Sequence, residues 1–215
     1  MPYDSPHFRL EQLAQGVYAA IAKPGGLAWS NAGIVDLGGH TLVFDTFFAP
    51  LAGEDLRRAA EIVTGRMVGW VVNSSYHLVH MGGNQAFPNA AILSTAAARQ
   101  LMTDRICAYL PVWRKNPAPL LEELRRGDSL GIDDQASIDR TLQDMMPGLH
   151  VTLPEQTFTG WMELHGSLRS VTLRAVEDDP SGGCTLLIEE EGILFAGDAS
   201  LPEEKFLRVV PGRGA

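Results

Sequence analysis

Short apolar runs separated by glycine and polar turns fill the first part of the chain. "GVYAAIA" (16–22), "AGIVDL" (32–37) and "TLVFDT" (41–46) are each brief, apolar and rich in β-branched residues, a composition that suits a pleated, half-buried surface. Gly38-Gly39 lies between the last two and can supply the positive φ angles of a tight hairpin. Three antiparallel strands are therefore predicted to open the domain. From 51 to 64 the period changes: Leu56, Ala59, Ala60, Ile62 and Val63 fall at helical spacing, and Gly65 supplies the stop. "GWVVNSS" (69–75) returns to strand. "AAILS" (90–94) is a further strand, and the helix predicted over 95–110 takes Thr95 as its N-cap. Strand, helix, strand, helix in this order predicts an α/β layer arrangement.

Residues 111–148 differ in character. Pro111, Pro117, Pro119 and Pro147 bracket two polar helices predicted around 118–126 and 133–146, which read as a helical insertion within one domain spanning 1–215. The last third returns to strands: "HVTL" (150–153), "QTFTGWMEL" (156–164), "SVTLRAV" (170–176) and the hairpin "CTLLIEEEGILFAGD" (184–198). The element order fits two mixed sheets packed face to face with helices outside.

Composition narrows the function classes. Apolar residues make up 45% and charged residues 20%, ordinary globular usage that argues against disorder or a fibrous repeat. No run approaches the ~18 apolar residues that span a bilayer. The start, "MPYDSPHFRLEQ", lacks the basic flank and apolar stretch of a signal peptide, so a cytoplasmic protein with no membrane partner is expected. A net charge of −9 argues against nucleic acid; the basic "LRRG" (124–127) falls on a predicted helix that is also rich in Glu. Cys107 and Cys184 show no paired metal spacing and are expected reduced and buried. A small-molecule substrate is the expected partner, with homo-oligomer formation left open.

The chemistry concentrates in "NSSYHLVHMGGN" (73–84), where His77 and His80 stand three positions apart just after a strand. The spacing alone fits either a metal or catalytic pair or two hydrogen-bonded structural histidines. Gly82-Gly83 favours a site, because glycine lets backbone pass close to one.

This segment resembles the metal-binding segment of the metallo-β-lactamase-fold hydrolases, which reads as a strand, His-x-His-x-Asp-His and a glycine-containing turn. "TLVFDT", "GILFAGD" ending at Asp198, and the tail "VVPGRGA" resemble further family marks, and the likeness extends over roughly 8–215. The resemblance implies a four-layer αββα sandwich and hydrolysis, or a related lyase or cyclase step, on a small ester, thioester or lactone. The ligand set is incomplete. Ser75 stands at the first His position and Val79 at the Asp position. Asp179 takes the place of a histidine nineteen residues before the bridging Asp198, and Arg213 replaces the histidine of "PGHG".

Three readings follow from that resemblance. His77, Asp179 and Asp198 could hold one Zn, Mn or Fe ion that acidifies a bound water, with His80 moving a proton. Without metal, Arg213 would take the space of the second ion and pair with Asp198. His77 or His80 would then do acid–base work oriented by Asp179 or Asp178, with Tyr76 as a further proton donor. The third reading is a fold kept for binding, without chemistry. Around the site, Trp29 in the loop 23–33 could cover a substrate, Asp45 reads as a buried structural acid, and Asn84 as a residue that pins the helix start.

Overall fold

The computed structural model describes residues 3–120, 122, 142–143, 145–199 and 208–212. Seven strands form the larger sheet: β1 (Phe8–Ala14), β2 (Val17–Ala22), β3 (Ala32–Asp36), β4 (Thr41–Phe44), β5 (Val68–Val72), β6 (Ala91–Thr95) and β7 (Gln156–Phe158), side by side in that order. The pairs from β1 to β4 are antiparallel, and those from β4 to β7 are parallel. The smaller sheet has the order β12 (Arg208–Pro211), β11 (Ile193–Gly197), β10 (Cys184–Ile188), β9 (Ser170–Ala175) and β8 (Trp161–His165). Only its β11–β12 pair is parallel.

Alternation along the strands sorts the apolar residues into two layers. One set from the larger sheet, including Ile34, Val43 and Val71, packs under helix α1 (Pro50–Thr64) through Ala52, Leu56, Ala59 and Ala60. The other set, including Val35, Leu42, Phe44 and Val72, meets Leu173, Leu186, Ile188 and Phe195 of the smaller sheet. Gly33 is needed at that seam, since a Cβ there would lie 2.7 Å from the Phe195 ring. The result is an α/β sandwich of two packed sheets, as anticipated from the sequence. Its described helices cover the larger sheet, and none is long and apolar enough to cross a membrane.

The predicted signals place several boundaries well. Gly65 ends α1 with φ 70° and its N–H on Glu61 O. Thr95 caps helix α3 (Ala96–Leu101) by accepting from Ala98 N. That helix runs on through a π-helical segment, Met102–Cys107, into α4 (Ala108–Lys115). It therefore contains Pro111 instead of stopping before it: the widened turns upstream accommodate a residue with no N–H to donate. β1 is an additional edge strand whose outward face is polar, so its apolar signal is short. "QTFTGWMEL" is not one strand: Gly160, with φ 69°, turns the chain from β7 in one sheet to β8 in the other. "HVTL" is not a strand. The helices predicted around 118–126 and 133–146 lie largely outside the described residues, although Leu120, Leu142 and Met146 are buried in the helix-side core.

Candidate functional site

The carboxyl ends of β4, β5 and β11 meet at one rim of the sandwich, the position where open α/β sheets place their crevices. Asp45 follows β4, the loop 73–77 and short helix α2 (Leu78–Met81) follow β5, and Asp198 follows β11. Polar side chains fix the loop from below. Asn73 and Asn84 exchange two hydrogen bonds of 2.9 Å; Asn73 Nδ2 also donates to His80 O, and Thr46 Oγ1 to Asn84 Oδ1. Gly82 and Gly83 pass so close to the backbone of 46–48 that a Cβ on either would lie 2.0 Å from a carbonyl oxygen, Phe48 O or Thr46 O. Local sequence thus presses this turn against the end of β4 and brings His80 over Asp45.

His80 is fully buried between two carboxylates. Its Nδ1 lies 2.8 Å from Asp45 Oδ2 and its Nε2 lies 2.9 Å from Asp198 Oδ1. Ionised carboxylates only accept, so both ring nitrogens donate and the ring is an imidazolium. Burial alone would pull its pKa down; Asp198 and Asp45 outweigh that and hold it at about 10. Asp45 is itself fixed by Ser74, whose N and Oγ each donate at 2.7 Å. Asp45 adopts φ 64°, a strained backbone for a non-glycine residue, which the surrounding bonds maintain.

Asp198 turns its other oxygen outward. Oδ2 lies 2.9 Å from His77 Nδ1 and 3.3 Å from Ser75 Oγ. The His77 side chain is 32% exposed. In the neutral tautomer that gives Nδ1–H to Asp198, the lone pair is on Nε2, which makes no hydrogen bond among the described residues. The Tyr76 ring packs on the His77 ring at 4.3 Å between centroids.

The structure therefore joins His77, His80 and Asp198 and adds Asp45, Ser74 and Ser75. Asp179 lies on the β9–β10 loop, which packs against Ser74 through Gly183. Its carboxylate accepts from Ser181 N, Ser181 Oγ and Gly183 N, all within its own loop. Arg213 lies outside the described residues. Its neighbour Gly212 abuts the His80 ring, where a Cβ would come 2.8 Å from Cε1, and the segment is held by Gly212 N to Gly197 O and Asn31 Nδ2 to Pro211 O. Trp29 is no free cover for a substrate: it is buried, stacked on Phe48 at 4.2 Å, with its indole N–H on Gly26 O. Cys184 is buried, and desolvation pushes its thiol far up.

Zinc and similar ions take three or four donors from a protein. His77 and His80 address different oxygens of Asp198, so each position an ion could take keeps one imidazole nitrogen and one carboxylate oxygen. Asp179 is committed to its own loop, Val79 cannot ligate, and the described residues contain no group of three or more His, Cys, Asp or Glu able to hold an ion. The described donor set does not fit a resident metal.

Sequence reasoning undervalued Asp45 and Ser74. The available signals were a strand-end acid in "FDT" and a hydroxyl directly after Asn73; neither shows from spacing that Asp45 bonds His80 and that Ser74 holds Asp45.

Comparison with solved structures gives the same fold. The chain is similar to a metallo-β-lactamase from Pontibacter korlensis (TM-score 0.64, 11% identity, 97% of this chain and 92% of that one). It is also similar to FIM-1 from Pseudomonas aeruginosa in its mono-zinc form (0.60, 14%, 100% and 90%). A third likeness is to the metallo-β-lactamase from Erythrobacter litoralis (0.58, 17%, 92% and 73%). No curated protein matches. The family model described as the metallo-beta-lactamase superfamily matches residues 29–215, most of the chain, and the protein belongs to that superfamily.

Proposed function

We propose that this protein is a metal-independent hydrolase of small ester, thioester or lactone carbonyls, with His77 as its general base. The observation that carries the reading is the His77–Asp198 pair: Nδ1 on Asp198 Oδ2 at 2.9 Å, and a half-buried ring whose Nε2 is unpaired among the described residues. Superfamily membership supports hydrolytic chemistry, and the substrate class is the one the sequence resemblance implies.

In this reading His77 Nε2 removes a proton from water as its oxygen bonds to the substrate carbonyl carbon. Asp198 holds the ring in the required tautomer and stabilises the imidazolium that forms. When the bond to the leaving group breaks, His77 returns the proton to that group, giving a carboxylic acid and an alcohol or thiol. Arg213, outside the described residues, is assigned to the developing oxyanion by its charge and by its sequence position directly after Gly212. Tyr76, packed on His77, is the second proton donor. Asp179 anchors the loop that supports Ser74.

The test is turnover of p-nitrophenyl acetate, a short acyl thioester and a γ-lactone by chelator-treated protein, its His77→Ala variant, and both after zinc addition. Hydrolysis that survives chelation and disappears in His77→Ala is expected. Hydrolysis by the wild type only with zinc would replace the proposal with a one-ion site, and a folded protein inert on every substrate would end the enzymatic reading.

A further inference from the structure

We infer that Asp45 and His80 are positioning residues that fix Asp198, and through it the His77 ring, doing with two hydrogen bonds what a metal ion would otherwise do. The inference rests on the reading of His77 as general base and explains why a site without a fitting metal set keeps its buried polar core.

The argument starts from the misfit. Asp198 stands at the position where the resemblance places a carboxylate shared by two ions, and in this chain its two oxygens face two imidazoles instead. A carboxylate at a strand end can rotate about its side-chain torsions unless both oxygens are held. Here Oδ1 is held by His80, a ring that is fully buried and cannot swing, because Nδ1 is pinned at its other end to Asp45. Asp45 in turn is clamped by the backbone and side chain of Ser74, two residues before Tyr76 in the same loop as His77. The hydrogen bonds run from Ser74 through Asp45, His80 and Asp198 to His77, and Ser74 and His77 belong to one turn. The path closes on itself, so the orientation of His77 is set relative to its own loop. Oδ2 of Asp198 is the oxygen that addresses the outward ring, beside Ser75 Oγ.

The chemistry needs this constraint. A general base acts in one tautomer and one direction, and Asp198 selects the tautomer only while Oδ2 points at Nδ1. Loss of Asp45 would free His80 to shift, let Asp198 rotate, and leave His77 sampling both tautomers. Substrate touches neither Asp45 nor His80, so the expected signature is a loss in kcat at nearly constant KM. A misplacement of about 1 Å costs on the order of 100-fold in rate.

The experiment combines kinetics with 15N chemical shifts of the histidine rings, which report the His77 tautomer whether or not a substrate has been found. Asp45→Asn is the first variant. Ser74→Ala, which removes one of the two clamps on Asp45 and no charge, is the second in case the first fails to fold. Expected are a His77 Nδ1–H fraction that falls in the variants, most in Asp45→Asn, and on a hydrolysed substrate a kcat loss of 10-fold or more with KM within about twofold. Asp45→Glu should restore part of both. If folded Ser74→Ala and Asp45→Asn leave the tautomer unchanged, the positioning role is overturned. If the tautomer responds while the wild type hydrolyses nothing, the role stands and only the hydrolase reading fails.

Discussion

Replacing His80 with leucine isolates the energetics of the site. The substitution keeps a side chain of similar bulk but leaves Asp45 Oδ2 and Asp198 Oδ1, now 2.8 and 2.9 Å from ring nitrogens, facing each other without the cation between them. Removing one partner from a buried ionic group costs about 3–5 kcal/mol, because the remaining charges stay desolvated and unpaired. The pKa of the histidine gives a second route to the size. Raised from 6.5 to about 10, a difference of about 3.5 units, it corresponds to roughly 5 kcal/mol at about 1.4 kcal/mol per unit. Because the folded value is raised, this contribution is complete below about pH 6.5, declines as pH rises and is lost above about pH 10. Urea unfolding of both proteins near pH 6, 8 and 10 is the assay. With a denaturant slope of about 1–3 kcal/mol per molar, the variant midpoint should fall by at least about 1 M near pH 6, and the gap should narrow toward pH 10. Adding Asp45→Leu should recover part of the loss, since it removes one of the two stranded carboxylates. A His80→Leu midpoint within about 0.3 M of wild type near pH 6, or a gap equal at all three pH values, would refute the buried imidazolium.

Two further outcomes test the surroundings. Gly33→Ala should destabilise the protein by about 1–3 kcal/mol in the same assay, by forcing a methyl group against the Phe195 ring, and Phe195→Leu should relieve much of it. Cys184, buried with its thiol pushed up by desolvation and by the nearby Asp45 and Asp179 carboxylates, should resist a thiol-specific reagent at neutral pH in the native protein and react only on unfolding. Modification of native protein at Cys184, located by peptide mapping, would contradict the packing around Asn73.

Much of the fold was legible because it is written in local signals. The Gly38-Gly39 hairpin, the Gly65 stop and the Thr95 cap each act within a few residues. What was not legible depends on partners far along the chain. β1 is held by pairing to β2 with little apolar signal of its own, and Gly160 divides a continuous apolar run between two sheets. The site divides in the same way. His77, His80 and Asp198 were visible as a motif and a strand end. That Asp45 reaches His80 across 35 positions, and that Asp179 bonds its own turn instead of the rim, are properties of packing. Trp29 shows the converse: a loop aromatic that looked free to meet a substrate is buried by stacking on Phe48.

The most direct test of the account is the rate of hydrolysis of a short-chain acyl thioester by chelator-treated wild-type protein, measured beside His77→Ala under the same conditions. The account predicts turnover above background for the wild type, unchanged by added zinc, and none for the variant. Equal rates for the two proteins, or wild-type activity that appears only when zinc is restored, would contradict it.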